Sequence, residues 1–76
     1  MYMLERIVIE EFGFTEEEIT AIENNFLCSL NYDDWESIQF IDEDCDEDEN
    51  HFKLPTGRMV YFPDELLRKD VMAQID

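Results

Sequence analysis

Positive charge is what this chain most conspicuously has little of. Five Lys and Arg stand against twenty-one Asp and Glu in 76 residues, a formal charge of −16. Proteins that grip DNA or RNA use Lys and Arg to displace phosphate counterions, so direct nucleic-acid binding is excluded by sign. Anionic membrane surfaces are repelled for the same reason. Two glycines, Gly13 and Gly57, cannot build a Gly-rich phosphate cradle. One histidine and two separated cysteines, Cys28 and Cys45, lack the spacing of a zinc site. Cys28 is expected in the core and Cys45 at the surface, unpaired, which fits a reducing cytoplasm. No run of about 18 apolar residues and no secretory hydrophobic region follow Met1. A soluble, intracellular protein is the expectation.

Six Phe, three Tyr and one Trp are enough aromatic surface for a core, and the length suits one domain, 1–76. Leu4, Ile7, Val8 and Phe12 fall at helical spacing and Gly13 suits a helix end, so Met1 to Phe12 reads as a helix. The β-branched "RIVIE" leaves a strand open there. Thr15 and Glu18 form a T-x-x-E capping box, and Phe14 and Ile19 the accompanying hydrophobic staple. Ile19, Ile22, Phe26, Leu27 and Leu30 then mark a second helix reaching to near Asn31. A turn or short helical turn follows at Asp33-Asp34-Trp35, with Asp33 as its cap. Glu36 to Asp42 reads as a strand through Ile38, Phe40 and Ile41. His51–Leu54 and Arg58–Phe62 flank Pro55-Thr56-Gly57, a hairpin with Phe52, Leu54, Val60 and Phe62 inward. Pro63 opens a last helix with Leu66, Leu67, Val71, Met72 and Ile75 on its apolar side. The order ααβββα is an α+β domain with a small antiparallel sheet of about three strands.

The acids are unevenly spread. Residues 32–50 carry ten of them and no base, whereas residues 51–76 balance to zero. The densest stretch is "DEDCDEDEN", residues 42–50. It is not an EF-hand loop. Starting from Asp42, Glu47 falls where Gly is needed and Lys53 where a bidentate Glu belongs; starting from Asp44, these positions hold Glu49 and Pro55. Nor is it catalytic: a Cys45 nucleophile paired with His51 would have its pKa raised by the surrounding carboxylates. His51 is expected as a strand residue at the sheet surface. No cofactor, metal or enzymatic site is expected. The bland reading of the run is a solvated loop or hairpin connection.

Acids also cluster in segments expected to be structured, which favours a second reading. Alternate residues of a strand lie about 6.8 Å apart on one face, comparable to successive phosphates of a nucleic-acid strand. Asp42, Asp44, Asp46 and Asp48, if extended, would form such a row. Glu43, Glu47 and Glu49 would thicken it, and Glu16, Glu17, Glu23, Asp33, Asp34 and Glu36 would broaden it. A basic groove would accept these carboxylates through charge-assisted pairs, with Arg58, Arg68 and Lys69 kept off the face.

In its size, its charge and its carboxylate clusters at 16–18, 33–36 and 42–49, the chain resembles the small acidic proteins with which phages and mobile elements counter host defences. These include anti-CRISPR proteins and anti-restriction or glycosylase-inhibiting DNA mimics. The resemblance implies stoichiometric inhibition in the cytoplasm of a bacterial host. The partner would be a basic nucleic-acid-binding protein or complex, such as a Cas effector or a nuclease. Homodimers are compatible with this provided the like-charged faces point apart. The alternative is a regulatory adaptor that binds through Trp35, Tyr32 and Tyr61, its acids serving only solubility.

Overall fold

Short-range hydrogen bonds punctuate the chain. The computed structural model describes residues 3–42 and 46–75, with side chains as far as Lys69. The first helix, α1 (Met3–Ile7), continues as a wider π-helical turn over Val8–Phe12. The segment is thus helical, although the β-branched Ile7-Val8-Ile9 lies where the tight α turn gives way. Gly13 ends it with φ 80°, its N–H donating to the Val8 carbonyl at 3.1 Å. Helix α2 (Glu16–Phe26) opens with the expected capping box. The Glu18 N–H donates to Thr15 Oγ1 at 3.2 Å, and the Thr15 N–H donates to Glu18 Oε1 at 2.9 Å.

Helix α2 stops earlier than its apolar stripe suggests. Asn24 and Asn25 are poor helix formers, and Leu27 turns into the left-handed region with φ 56°. The helical phase is lost there. Leu27 is 61 % exposed instead of lying on the stripe, Cys28 is exposed instead of in the core, and Leu30 reaches the core from a loop. Helix α3 (Tyr32–Ser37) is capped by Asn31, not Asp33. Asn31 Oδ1 accepts from the Asp34 N–H at 2.9 Å, and Asp34 Oδ2 accepts from the Asn31 N–H at 3.1 Å. This second capping box takes Glu36 and Ser37 into the helix, so the first strand is shorter than expected.

That strand is β1 (Gln39–Ile41), followed by β2 (His51–Lys53), β3 (Met59–Tyr61) and α4 (Asp64–Ile75). The hairpin turn forms as its residues require. The Gly57 N–H donates to the Leu54 carbonyl at 2.8 Å, with Gly57 at φ 94°. The architecture is α+β, with a three-stranded antiparallel sheet in the order β1-β3-β2. Val71, Met72 and Ile75, assigned above to the apolar side of α4, lie outside the described side chains, as Glu43, Asp44 and Cys45 lie outside the described residues. No helix is long and apolar enough to cross a membrane among the described residues.

The strand order changes the meaning of the acidic run. Both β1 and β2 are antiparallel to β3, with Phe40 and Phe52 each opposite Val60. They are therefore parallel to each other on either side of β3. Residues 42–50 cannot be a hairpin connection, since parallel strands need a crossover. The run leaves β1 beside the hairpin turn and regains the sheet at its other end. It travels about 7 Å along the strands and about 10 Å across them.

Cross-strand partners share a face. Phe40, Val60 and Phe52 form the inward row, and Val60 joins Val8, Phe14, Ile22, Phe26, Trp35, Phe62 and Leu66 in one core. Phe14 lies 4.5 Å from Phe40 and 5.2 Å from Trp35, centroid to centroid, and Phe26 meets Phe62 edge-on at 5.0 Å. Leu54, Val60 and Phe62 are buried as expected, while Phe52 is half-buried. Met59 points to the other face. It is nevertheless only 7 % exposed, apart from the core cluster.

Candidate acidic interface

The one buried carboxylate among the described residues is Glu18, with no solvent exposure. Besides the Thr15 N–H, it accepts from Thr56 Oγ1 at 2.6 Å and from Arg58 Nη1 at 3.3 Å. A buried charge is tolerated only when it is paired and hydrogen-bonded, and both conditions hold here. Arg58 also donates to the Gly13 carbonyl at 3.0 Å and places its guanidinium 3.6 Å from the Phe40 ring centre. The hairpin turn is thereby tied to the start of α2. The capping box identifies Glu18 from sequence, but only as a cap. Its partners, 38 and 40 positions away, leave no local signal.

This clamp sets where the exposed acids stand. Glu16 and Glu17, on the first turn of α2, are exposed at the hairpin end of the sheet, where Asp42 also leaves β1. The far side of the crossover is anchored at the opposite end by Asn50. Its Nδ2 donates to the Phe62 carbonyl at 2.8 Å and to Asp64 Oδ1 at 3.1 Å, and the Phe62 N–H donates to its carbonyl at 2.7 Å. Asp46, Glu47, Asp48 and Glu49 are exposed there, and Asp64 joins them. Asp64 lies in the charge-balanced segment 51–76 and was not singled out from the sequence; the lone Asn closing an acidic run was the available signal.

Asp48 is occupied with its own turn. Its Oδ1 accepts from the backbone N–H groups of Asn50 and His51, both at 2.8 Å, and meets His51 Nδ1 at 2.9 Å. The His51 side chain first, then these N–H groups, hold its carboxyl below the usual aspartate range. Asp46–Asp48 thus lie outside the strands, and Asp48 turns back onto Asn50 and His51. Asp44, expected in one row with Asp42, Asp46 and Asp48, and Glu43 lie outside the described residues.

A third group surrounds Tyr32. The Tyr32 hydroxyl donates to Glu11 Oε2 at 3.2 Å, and Phe12 packs against its ring at 5.4 Å. That hydrogen bond first, then the charges of Glu11, Glu36 and Asp33, push the phenol above its ordinary value. Asp33 and Glu36 therefore sit with Glu11, which the sequence reading did not single out. Asp34 does not present a free charge: its Oδ2 caps Asn31 and receives Lys69 Nζ. Lys69, expected off the acidic face, is thus drawn onto it. Glu23 is half-buried in a groove between α1, α2 and α3.

No protein-family model, curated protein or solved structure matches the chain.

The aromatic alternative loses its main anchor. Trp35 is 2 % exposed, packed against Phe14. Tyr32 and Tyr61 are exposed but stand on different elements, Tyr32 in α3 and Tyr61 in β3 beside His51. Among the described residues, no three His, Cys, Asp or Glu converge as metal ligands would.

Proposed function

We propose that this protein is a non-enzymatic, cytoplasmic inhibitor whose carboxylates occupy the basic DNA- or RNA-binding surface of a nucleic-acid-handling protein. Counter-defence against a Cas effector or a nuclease is the setting its character suggests. One observation carries the reading. Among the described residues, the ion pairs engage Glu10, Glu18, Asp34 and Asp48. Glu16, Glu17, Glu23, Asp33, Glu36, Asp42, Asp46, Glu47 and Glu49 enter none of them. With five Lys and Arg in the chain, most of these acids have no internal cation to meet, and uncompensated charge that repels itself and disfavours the compact state is best relieved by a basic partner.

The mimicry would work through separate carboxylate groups at both ends of the sheet and around Tyr32, not through one evenly spaced row. Arg and Lys that meet phosphates in the partner would meet these carboxylates through charge-assisted bonds. Long-range attraction would speed encounter and weaken with salt.

The test is capture from bacterial lysate on the immobilised protein at low and high salt, with elution by an oligonucleotide duplex. Nucleic-acid-binding proteins released by both salt and duplex would support the reading. A variant with Glu16, Glu17, Asp46, Glu47 and Glu49 changed to Lys, shown by circular dichroism to be folded, should capture none of them. Undiminished capture by that variant would refute the proposal.

A further inference from the structure

We propose that the groove between α1, α2 and α3 binds a basic amphipathic segment of a partner protein. The segment's apolar side chains would rest on the groove floor, and a Lys or Arg would lie against Glu5 and Glu23. The groove has a volume of about 500 Å³, with Val8, Ile19, Leu30 and Trp35 beneath and the two carboxylates among its walls. Both carboxylates are half-buried, and neither enters an ion pair among the described residues. A partly desolvated carboxylate beside apolar surface is best satisfied by a cation on an aliphatic stem, which Lys and Arg provide.

A second observation concerns two exposed apolar residues that neighbour the lining in the chain without being part of it. Met3, next to the lining residue Leu4, is 80 % exposed; Leu27, two positions before the lining residue Ser29, is 61 % exposed. Leu27 also holds φ 56°, a left-handed conformation that L side chains disfavour. Glycine would remove both costs. An apolar side chain kept exposed on a strained backbone is explained if it contacts something that is absent when the protein is free. A second copy of the chain is a poor occupant, since each carries −16. A cationic segment is a complementary one.

The inference rests on the proposed function only for the sign of the partner's charge, and the two can fail separately. The probe is a Leu/Lys amphipathic peptide of about five helical turns without aromatic residues, with oligolysine of equal charge as control. Trp35 is the sole tryptophan and lies in the groove, so its emission reports occupancy there, and amide NMR shifts map the contact. The expected result is a shift of Trp35 emission, movement of the Val8, Ile19 and Leu30 amides, and binding at least about tenfold tighter than oligolysine. Glu5→Lys with Glu23→Lys should weaken the peptide about tenfold. Leu27→Gly should weaken it about fivefold while leaving the fold at least as stable, which separates lost contact from lost structure.

Amide shifts confined to the exposed acids, with Trp35 silent, would overturn the inference and leave the charge-based reading standing. Groove shifts that grow with protein concentration in the absence of peptide would also overturn it, by assigning the groove to a second copy. Conversely, the five-fold Lys variant of the exposed acids should still bind the peptide in the groove, so failure of nucleic-acid mimicry would not remove this site.

Discussion

The carboxylate of Glu18, sealed from solvent on the first turn of α2, accepts a 2.6 Å hydrogen bond from the hydroxyl of Thr56 in the hairpin turn. Arg58 and the Thr15 N–H both donate to the other carboxylate oxygen, Oε1. One side chain therefore caps a helix, docks a hairpin and orients the end of the sheet at which Asp42 and Glu16 emerge.

Glu18→Ala should lower unfolding free energy by about 2–3 kcal/mol, combining the lost cap with the lost charge-assisted bonds. Arg58→Ala should cost about 2 kcal/mol, less than for a fully buried pair because the Arg58 side chain is itself 43 % exposed. Urea denaturation of both single variants and the double variant gives the coupling. A double-variant cost equal to the sum of the two singles would show that the residues act independently.

Leu27→Gly should raise stability by about 1 kcal/mol. It relieves the left-handed backbone at the end of α2 and removes an exposed apolar side chain without opening a cavity. Thermal unfolding is sufficient to measure it. A fall in midpoint would mean that Leu27 has a packing role in the free protein.

Asp48 should titrate below the ordinary aspartate value of about 3.8, because its charged form accepts bonds from His51 and two backbone N–H groups. A carboxyl whose folded pKa is depressed contributes stability above its unfolded pKa and loses that contribution as pH falls through the folded one. The turn at residues 48–51 should therefore hold at pH 5 and loosen only as pH drops below about 3.8. Carboxyl-detected NMR follows the titration directly. His51→Ala should move the Asp48 midpoint upward, and an unmoved midpoint would mean that the imidazole bond is not formed in solution.

Asn50→Ala should cost about 1–2 kcal/mol, since it leaves the Phe62 carbonyl without its side-chain donor and frees Asp64. Hydrogen exchange should quicken at His51 and Phe62, the amides nearest the anchor, while α2 stays protected. Uniform acceleration across the chain would instead indicate global destabilisation.

The elements read most securely from sequence are those specified by residues within a turn or so of one another. Thr15 and Glu18 close their capping box three positions apart, and Leu54 to Gly57 close a tight turn. Gly13 takes the left-handed conformation that side chains disfavour. Where local signals competed, the reading slipped. The apolar stripe through Leu27 and Leu30 continued past the two asparagines that weaken α2, and Asn31 capped α3 ahead of Asp33. Cys28 followed Leu27 out of the core.

By itself the sequence determined the class of fold, the sign of the surface and the turns that punctuate it, because these follow from local hydrogen bonds, backbone preferences and summed charge. Only the tertiary structure decided what the acidic run is. Strand pairing in the order β1-β3-β2 makes residues 42–50 a crossover, and a crossover places its two ends at opposite ends of the sheet. Which carboxylates stay free was decided in the same way. Glu18 is engaged by Thr56 and Arg58 and Asp34 by Lys69, partners 35 to 40 positions away. Contacts over such separations depend on how the strands and helices pack, and no spacing along the chain encodes them.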